Sequence, residues 1–466
     1  MIDLLIKNGL IITMDPKRRI IKDGAMAIDE GKIIALDKTE KLIKDYQNAK
    51  EVLNAKNMLV LPGLIDMHVH LAQAMIRGCA DDLALIPWLV ERVWPLQGNY
   101  THEDGKTSAS LCILEMLKSG TTTFLECMLH TRYGFDGIAE VVKESGIRGV
   151  LAKTVMDMPG YASEKNVMHE GMIESKEASI KEALNMFKKW NGKANGRIHV
   201  WFGPRTPGAC TPELYREVSE LAKQLNTGIT IHLAEVKEDV EYTKKEFNML
   251  PFEFAESVGI AGSNVVLAHA VWLTQEEIDK IAKTKTNVCH CPSSNMKCGS
   301  GIAKIHEMLK SGINVALGCD GGPSNNAYDM VREMKLAALL QKVGKLDPEV
   351  LPAEQVLEMA TINGAKALGL ENEIGSIEPG KKADIIMIDL KKPHLTPCFN
   401  PISNLVYAAQ GSDVDTVIID GKVVMRKRRV LTMDEKKILK EAEKKGLDLI
   451  QKTKLHEKIV PKWPIQ

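Results

Sequence analysis

The sequence predicts an α/β protein, a (β/α)8 barrel of the TIM type with a small β-sandwich domain built from both chain ends. From about residue 58 to 371, short apolar and β-branched runs alternate with helix-period segments, which is typical of βα units around a parallel sheet. The two ends of the chain instead alternate apolar and polar residues around Gly and Asp-Gly turns, as half-exposed antiparallel strands do. At 466 residues, the chain is also too long for a single hydrophobic core.

Several segments qualify as strands of the barrel, and their number is the eight parallel strands that closure requires. In chain order they are NMLVLPGLIDM, GTTTFLEC, RGVLAKTV, RIHVWFGP, TGITIHLAE, NVVLAHAV, TNVCHCP and NVALGCD. We therefore assign residues 58–371 to the barrel.

Residues 1–57 and 372–431 are expected to join into the small β domain, as its N-terminal and C-terminal parts. Residues 432–466 are predicted to form a C-terminal helix and tail. Thr432 and Glu435 have the spacing of a capping box, and apolar residues recur after them at helical spacing.

The composition restricts the kind of partner. Sixty-one basic and sixty-one acidic residues give a formal net charge of zero, with no long block of one sign. The chain therefore has no excess of positive charge that would favour binding to nucleic acid or to an anionic membrane surface. A small, roughly neutral molecule is a more suitable partner. The nine cysteines are odd in number and scattered, and the chain shows no signal peptide and no long apolar run. We expect a soluble, cytoplasmic protein with reduced thiols.

Two histidines, His68 and His70, stand one residue apart at the end of the first candidate strand. Side chains two residues apart in a strand share a face, and the carboxyl ends of barrel strands are where active sites form. A pair of this kind can bind a metal ion, but imidazoles are also common as hydrogen-bonded core groups. The pair alone leaves both interpretations open.

Three further strand ends carry polar groups of the same kind, namely His232 with Glu235, His269, and Asp320. Burying an unpaired polar group costs about 1–3 kcal/mol, and more for a charge, unless the group is paired or binds a metal. Because four strand ends each carry a polar group that is unfavourable to bury alone, the pattern favours a metal site. Three histidines and one carboxylate suit zinc or iron(II) and leave a position open for water. Glu235 is placed to accept the proton of that water.

Six motifs together resemble the amidohydrolase superfamily, and more narrowly its ATZ/TRZ branch. They are PGLIDMHVH, HLAE, LAHAV, HCPSSNMKCGSGIA, DGGPSNN and EIGSIEPGKKADIIMID. That branch contains methylthioadenosine/S-adenosylhomocysteine deaminases, guanine deaminases, and triazine chlorohydrolases and deaminases. The resemblance covers nearly the whole chain, and its motifs are specific for the branch but much less so for the substrate.

The resemblance implies one divalent metal ion per subunit, with Zn2+ expected and Fe2+ as the alternative. The implied ligands are His68, His70, His232 and Asp320. The implied catalytic residues are Glu235, His269 and Asp320. The fourth strand offers no lysine of the kind that bridges two metals in other relatives, which implies a mononuclear site. Partners are expected to be a heterocyclic substrate, water and further copies of the chain, as a dimer or tetramer.

The predicted function is that of a metal-dependent deaminase of a purine-like heterocycle. The leading substrate is an adenosine derivative of the 5′-methylthioadenosine/S-adenosylhomocysteine type, and the alternatives are a triazine hydrolase or a guanine-type deaminase. Substrate contacts are expected from Trp88, Gln97, Arg205, Glu235 and Asp320. A non-catalytic scaffold of the same fold is a further alternative, but scaffolds lose the metal residues that are all present here.

Three positions depart from the adenosine-type deaminases of the branch. Gln97 stands where they have a glutamate that grips ribose hydroxyls, and Arg205 stands where they have a histidine. Lys153 stands where they have an arginine that helps to hold the carboxylate of S-adenosylhomocysteine. Each change weakens the nucleoside assignment without touching the metal chemistry.

Overall fold

The computed structural model describes residues 1–46, 48–460 and 463, and within them the strands form two sheets. The first sheet contains β1 (Ile2–Ile12), β2 (Ile20–Asp29), β3 (Lys32–Lys38), β4 (Ala49–Asn54) and β5 (Met58–Pro62). Strand β1 pairs antiparallel with β2 and parallel with β4 and β5.

The second sheet is the parallel barrel. Its strands are β6 (Leu64–His70), β7 (Thr121–Leu129), β8 (Arg148–Val155), β9 (Ile198–Pro204), β10 (Ile229–Leu233), β11 (Val265–His269), β12 (Asn287–His290), β13 (Val315–Leu317) and β14 (Asp320–Gly321). Neighbours in the chain are neighbours in the sheet from β6 to β13, which is the order that successive βα units produce.

An interrupted last strand closes the barrel. Strand β13 pairs with β12 while β14 pairs with β6, and two residues separate β13 from β14. One of these two is Gly318, where a Cβ would lie 2.6 Å from the Cβ of His68. The absence of a side chain therefore lets the last strand approach the first. The predicted (β/α)8 barrel is confirmed.

The C-terminal strands complete the first sheet. They are β15 (Ile385–Asp389), β16 (Val414–Ile419), β17 (Lys422–Arg426) and β18 (Arg429–Val430). Strand β15 pairs antiparallel with β5, so both chain ends share one sheet, as predicted. This sheet curls around its own apolar core, which includes Ile6, Met26, Val60 and Ile385. A buried ion pair between Arg148 and Asp384 links it to the barrel.

Most helices cover the outside of the barrel or connect its strands, whereas Thr39–Asp45 connects β3 to β4 of the first sheet. The longer ones are His102–Lys118, Phe135–Ser145, Lys176–Trp190, Pro212–Gln224, Lys237–Phe247, Gln275–Thr284, Met330–Lys345 and, at the C-terminus, Glu435–Lys452. The shorter ones are Thr39–Asp45, Leu85–Trp88, Trp94–Gln97, Lys193–Gly196, Pro251–Ser257, Pro292–Lys297, Ile305–Lys310, Gly322–Asn325, Ala353–Met359, Ile362–Ala367 and Pro401–Ser403. No helix among the described residues is both long and apolar enough to cross a membrane.

The first candidate strand was wrong as a single element. The segment NMLVLPGLIDM divides into β5, which pairs in the first sheet, and β6, which opens the barrel. The division falls at Gly63, where a Cβ would lie 2.0 Å from the hydroxyl oxygen of Thr122. Pro62 precedes this glycine and has no N–H to continue a ladder, so the chain changes sheets here.

The predicted capping box of the C-terminal helix was also wrong. The N-cap is Asp434, whose carboxylate accepts from the backbone N–H of Lys437 at 3.1 Å. The hydroxyl of Thr432 instead donates to the carbonyl oxygen of Ser145 at 2.7 Å. Of the predicted tail, residues 461, 462 and 464–466 lie outside the described residues.

Candidate active site

The carboxyl ends of four barrel strands bring the sequence-predicted metal ligands and His269 together. His68 and His70 lie at the end of β6, His232 near the end of β10, His269 at the end of β11, and Asp320 at the start of β14. The Oδ1 atom of Asp320 lies 3.4 Å from Nε2 of His68 and 3.2 Å from Nε2 of His70. The four strands therefore place nitrogen and oxygen donors around one point.

Three imidazoles face one another at this point. Possible ligand nitrogens of His68, His70 and His232 all lie within 4.8 Å of one another. The Nδ1 atom of His232 lies 3.2 Å from the carbonyl oxygen of Arg205, which can only accept, so Nδ1 carries the hydrogen. The Nε2 lone pair of His232 is then free, 3.4 Å from Nε2 of His70.

The protonation states of this cluster fit a divalent metal ion. Burial lowers the pKa of His68 to about 4, so its imidazole is neutral, yet neither ring nitrogen makes a hydrogen bond of good geometry. Burial opposes the ionisation of Asp320, but the nearby imidazoles of His68 and His70 outweigh it and hold its pKa well below the usual range. Neutral imidazoles beside an ionised carboxylate are the state in which these groups bind a metal.

Glu235 lies beside this cluster and contacts His269. Its Oε2 atom is 3.7 Å from Nε2 of His269, and burial raises the pKa of Glu235 to about 7. The carboxylate of Asp239 accepts from the backbone N–H of Glu235 at 2.8 Å, which fixes the backbone there. The Nδ1 atom of His269 lies 3.0 Å from Oδ1 of Asn295. A carboxyl with a pKa near neutrality can both accept and donate a proton.

Two of these residues are held in a conformation that side chains rarely adopt. His269 and Asp320 both have φ of +69°. A non-glycine residue in the left-handed region costs about 1–3 kcal/mol and persists where the surrounding structure fixes it, commonly at functional sites. The strain therefore coincides with the predicted catalytic residues.

A pocket opens onto the cluster, and the residues predicted to contact substrate line it. They are Trp88, Gln97, Arg205, Glu235 and Asp320. The indole N–H of Trp88 donates to the carbonyl oxygen of Pro323 at 3.3 Å. The guanidinium of Arg205 lies over the ring of Trp94, 5.2 Å from its centroid, and burial lowers the pKa of Arg205. Arg205 forms no ion pair with an acidic side chain of the described residues.

Sequence reasoning missed several residues of the pocket wall. Gln73, Glu126, Tyr133 and Tyr161 all line it. Glu126 could have been found, because it is a carboxylate in the second half of an apolar strand, a signal similar to the one that identified Asp320. Its Oε2 accepts from the backbone N–H of Leu71 at 2.6 Å, and burial raises its pKa well above the usual range. Loop residues such as Tyr161 carry no comparable pattern.

Lys153 lies inside the protein and away from the pocket. Its side chain is fully buried, donates to the carbonyl oxygen of Thr154 at 2.8 Å, and pairs with Glu174 at 3.2 Å. It is absent from the described lining of the pocket. Lys153 is therefore not available to hold a substrate carboxylate, because its ammonium group is buried and already paired with Glu174.

Comparison with known proteins gives close relatives over the whole length. The chain is 42% identical over 450 residues to a 5′-deoxyadenosine deaminase of Methanosarcina acetivorans, and the aligned part is 97% of this chain and 99% of that protein. It is 40% identical over 442 residues to a 5-methylthioadenosine/S-adenosylhomocysteine deaminase of Moorella thermoacetica, covering 95% and 98%.

Solved structures are similar in fold over the same extent. A zinc-bound adenosine deaminase from Xanthomonas campestris has a TM-score of 0.90 at 29% identity, covering 97% of this chain and 99% of that one. A zinc complex of the atrazine chlorohydrolase TrzN from Arthrobacter aurescens has a TM-score of 0.87 at 25% identity, covering 96% and 100%. The model of the amidohydrolase family matches residues 59–424. The match spans the barrel and every residue of the cluster, and the chain belongs to the amidohydrolase family.

Proposed function

We propose that this protein is a metal-dependent deaminase that hydrolyses the exocyclic amino group of an adenosine derivative with a compact 5′ substituent. The observation that carries the proposal is the buried cluster of three imidazoles and Asp320, with Glu235 and His269 beside it in one pocket. Its relatives at 40–42% identity include 5′-deoxyadenosine and methylthioadenosine/S-adenosylhomocysteine deaminases, which supports the same substrate class.

The cluster would hold one zinc ion per chain. The ligands would be His68, His70, His232 and Asp320. When bound, the ion supplies a Lewis acid that makes water a nucleophile near neutral pH.

Glu235 moves the protons of the proposed reaction. It takes a proton from water as the oxygen adds to the ring carbon that bears the amino group, and it delivers that proton to the adjacent ring nitrogen. The hydroxyl proton of the resulting tetrahedral carbon then passes to the amino group, the C–N bond breaks, and ammonia leaves. The ring carbon becomes a carbonyl. His269, 3.7 Å from Glu235, holds the attacking oxygen in line.

Gln97, Arg205 and Trp88 select the substrate. A carboxylate accepts two hydrogen bonds from vicinal hydroxyls, whereas the amide of Gln97 offers one acceptor oxygen and two donor hydrogens, so the grip on a ribose is looser. Arg205 only donates and therefore favours a ring nitrogen or another acceptor. Trp88 offers an aromatic surface to a flat ring.

A triazine hydrolase is the second candidate. It is supported by the similarity to the triazine-acting enzyme TrzN at 25% identity and a TM-score of 0.87. Stacking against Trp88 and donation from Arg205 suit a triazine as well as a purine.

An ammonia-release screen separates these candidates. Purified protein loaded with zinc or iron(II) is incubated with 5′-deoxyadenosine, methylthioadenosine, S-adenosylhomocysteine, guanine and an aminotriazine. We expect the highest kcat/KM with 5′-deoxyadenosine or methylthioadenosine. Turnover of the triazine with no turnover of any adenosine derivative would favour the second candidate instead.

We also propose that the protein works in the cytoplasm as a homo-oligomer. Leu339, Val343 and Leu346 are 44%, 64% and 89% exposed along the end of helix Met330–Lys345. Exposed apolar patches commonly mark protein contacts. Light scattering after size exclusion should give the mass of a dimer or tetramer, and a monomer at working concentration would contradict this.

A further inference from the structure

A buried acid–base cluster lies next to the pocket but outside the metal site. At its centre is Glu174, which ends the segment 156–174 between β8 and the helix Lys176–Trp190. Its carboxylate accepts from the backbone N–H of Thr131 at 3.0 Å and from the hydroxyl of Ser179 at 2.7 Å. The ammonium of Lys153 lies 3.2 Å away. One carboxylate thus joins the ends of two barrel strands to the helix that follows them.

His130 reinforces this connection. Its Nδ1 accepts from the backbone N–H of Arg132 at 3.0 Å, so Nε2 carries the hydrogen. That Nε2–H donates to the carbonyl oxygen of Met172 at 2.9 Å and lies 3.1 Å from Oε1 of Glu174. Glu182 contacts the hydroxyl of Thr131 on the other side. The loop after β7 and the segment 156–174 are therefore fastened together.

Both fastened segments reach the pocket. The loop after β7 carries Tyr133, whose hydroxyl lies 3.8 Å from the sulfur of Met172. The segment 156–174 carries Tyr161, which lines the pocket together with Tyr133. The same segment packs on the residue that follows Gln97, because a Cβ on Gly171 would lie 2.2 Å from the carbonyl oxygen of Gly98. The cluster thus supports one wall of the pocket from behind.

We propose that Glu174 is a positioning residue, which holds the segment 156–174 and Tyr133 in the arrangement that binds substrate. It contacts no reacting atom and acts through the wall that it fastens. Substrate affinity depends on this wall more than the chemical step does, since Glu235 follows β10, and His269 and Asp320 lie on β11 and β14. The proposal rests on the proposed deaminase function for its kinetic part only.

The test compares Glu174→Gln with Asp384→Asn. Glu174→Gln keeps the shape and one of the two acceptor oxygens but leaves Lys153 without its nearest carboxylate. Asp384→Asn removes the charge that pairs with Arg148. This ion pair is also buried, but it lies at the start of β8, at the opposite end of the barrel from the pocket. Both variants should lower Tm, so Tm alone does not distinguish positioning from stability.

KM and hydrogen exchange do distinguish them. For 5′-deoxyadenosine, Glu174→Gln should raise KM by roughly tenfold or more with kcat little changed, whereas Asp384→Asn should leave both near wild type. Amide exchange should become faster in residues 131–133 and 156–174 of Glu174→Gln alone. Ser179→Ala, a milder variant that removes one hydrogen bond to Glu174, should move both readouts less in the same direction.

An unchanged KM in Glu174→Gln, or equal changes in Asp384→Asn, would overturn the proposal. Unchanged exchange in residues 156–174 would overturn it even if the wild-type protein deaminates no adenosine derivative. If the wild-type protein deaminates no adenosine derivative, that result contradicts the proposed function only. The exchange measurement then decides whether Glu174 has the structural role.

Discussion

Glu235 combines burial, a raised pKa and contact with His269 in one side chain. It comes two residues after β10, beyond the imidazole of His232 on the same strand. This position keeps it beside the ligand cluster without making it one of the four closest donors. Its proposed role as a proton carrier can therefore be separated from metal binding by one substitution.

We predict that Glu235→Gln keeps the metal and loses turnover. The amide has nearly the same shape but cannot take up a proton, and a general acid–base group is typically worth about 10²–10⁴-fold in rate. Elemental analysis and kcat measured on the same preparation check this. Loss of the metal in this variant would instead place Glu235 among the ligands.

At the pocket wall, Gln97 and Arg205 are the residues that we expect to tune substrate choice. The double variant Gln97→Glu with Arg205→His should raise kcat/KM for methylthioadenosine relative to its 2′-deoxy analogue, because a carboxylate accepts from both ribose hydroxyls and the analogue has only one of them. Competition kinetics with the two substrates measure this ratio. A ratio that falls or stays constant would show that these side chains do not read the ribose.

At the scale of single elements, the interrupted last barrel strand packs closely against a ligand of the proposed metal site. Gly318 lies against β6, where a Cβ would be 2.6 Å from the Cβ of His68 and 2.8 Å from the sulfur of Cys289. Both neighbours are fully buried, so neither can move into solvent. The close approach also fixes where Asp320 enters the site.

Gly318→Ala is expected to lower both metal content and stability. Overpacking a well-packed core typically costs about 1–3 kcal/mol, and here the displaced atom belongs to a proposed ligand. Chemical denaturation and zinc content per chain give the two readouts. Full zinc content with unchanged stability would mean that the two strands can separate without disturbing His68.

The segment that ends at Glu174 should show a distinct acid sensitivity. Burial would raise the pKa of Glu174, but Lys153 and His130 outweigh it and lower the value to about 2 from the ordinary 4.5. Because the folded-state pKa is depressed, its contribution to stability is complete above about pH 4.5 and is lost as the pH falls towards 2.

Denaturation midpoints between these pH values check this, with Glu174→Gln as the control. The variant should show a shallower decline in stability than the wild type over the same range, since it lacks the titrating group. Parallel declines in the two proteins would assign the acid sensitivity to other carboxylates.

Strand patterns predicted much of this organisation, and side-chain partners across loops largely escaped prediction. The pair His68 and His70 could be placed because a strand repeats every two residues. The division at Gly63 could not, because an apolar run reads the same whether it belongs to one sheet or two. The pairing of Lys153 with Glu174 could not be predicted, because the two residues are 21 positions apart along the chain and meet only through the folded loop.

At the scale of the whole molecule, the two sheets have separate tasks. The barrel carries the proposed ligands, Glu235 and His269 at or just after the carboxyl ends of its strands, and two short helices between β6 and β7 carry Trp88 and Gln97. One face of the sheet of the chain ends packs around a core of its own, and the other face, with Leu61 and Ile386, belongs to the same apolar cluster as the barrel. The ion pair between Arg148 and Asp384 adds a polar contact at the end of β8 that lies away from the pocket. Changes in this sheet should therefore affect stability before they affect chemistry.

We expect this barrel to deaminate an adenosine derivative when it holds one metal ion. The most direct measurement is the conversion of 5′-deoxyadenosine to 5′-deoxyinosine, followed by absorbance and mass, while zinc is titrated into metal-stripped protein. We predict no conversion without metal and a rise in rate that levels off at one zinc ion per chain. Conversion by the stripped protein, a plateau at two ions per chain, or no conversion of any adenosine derivative at full loading would contradict the account.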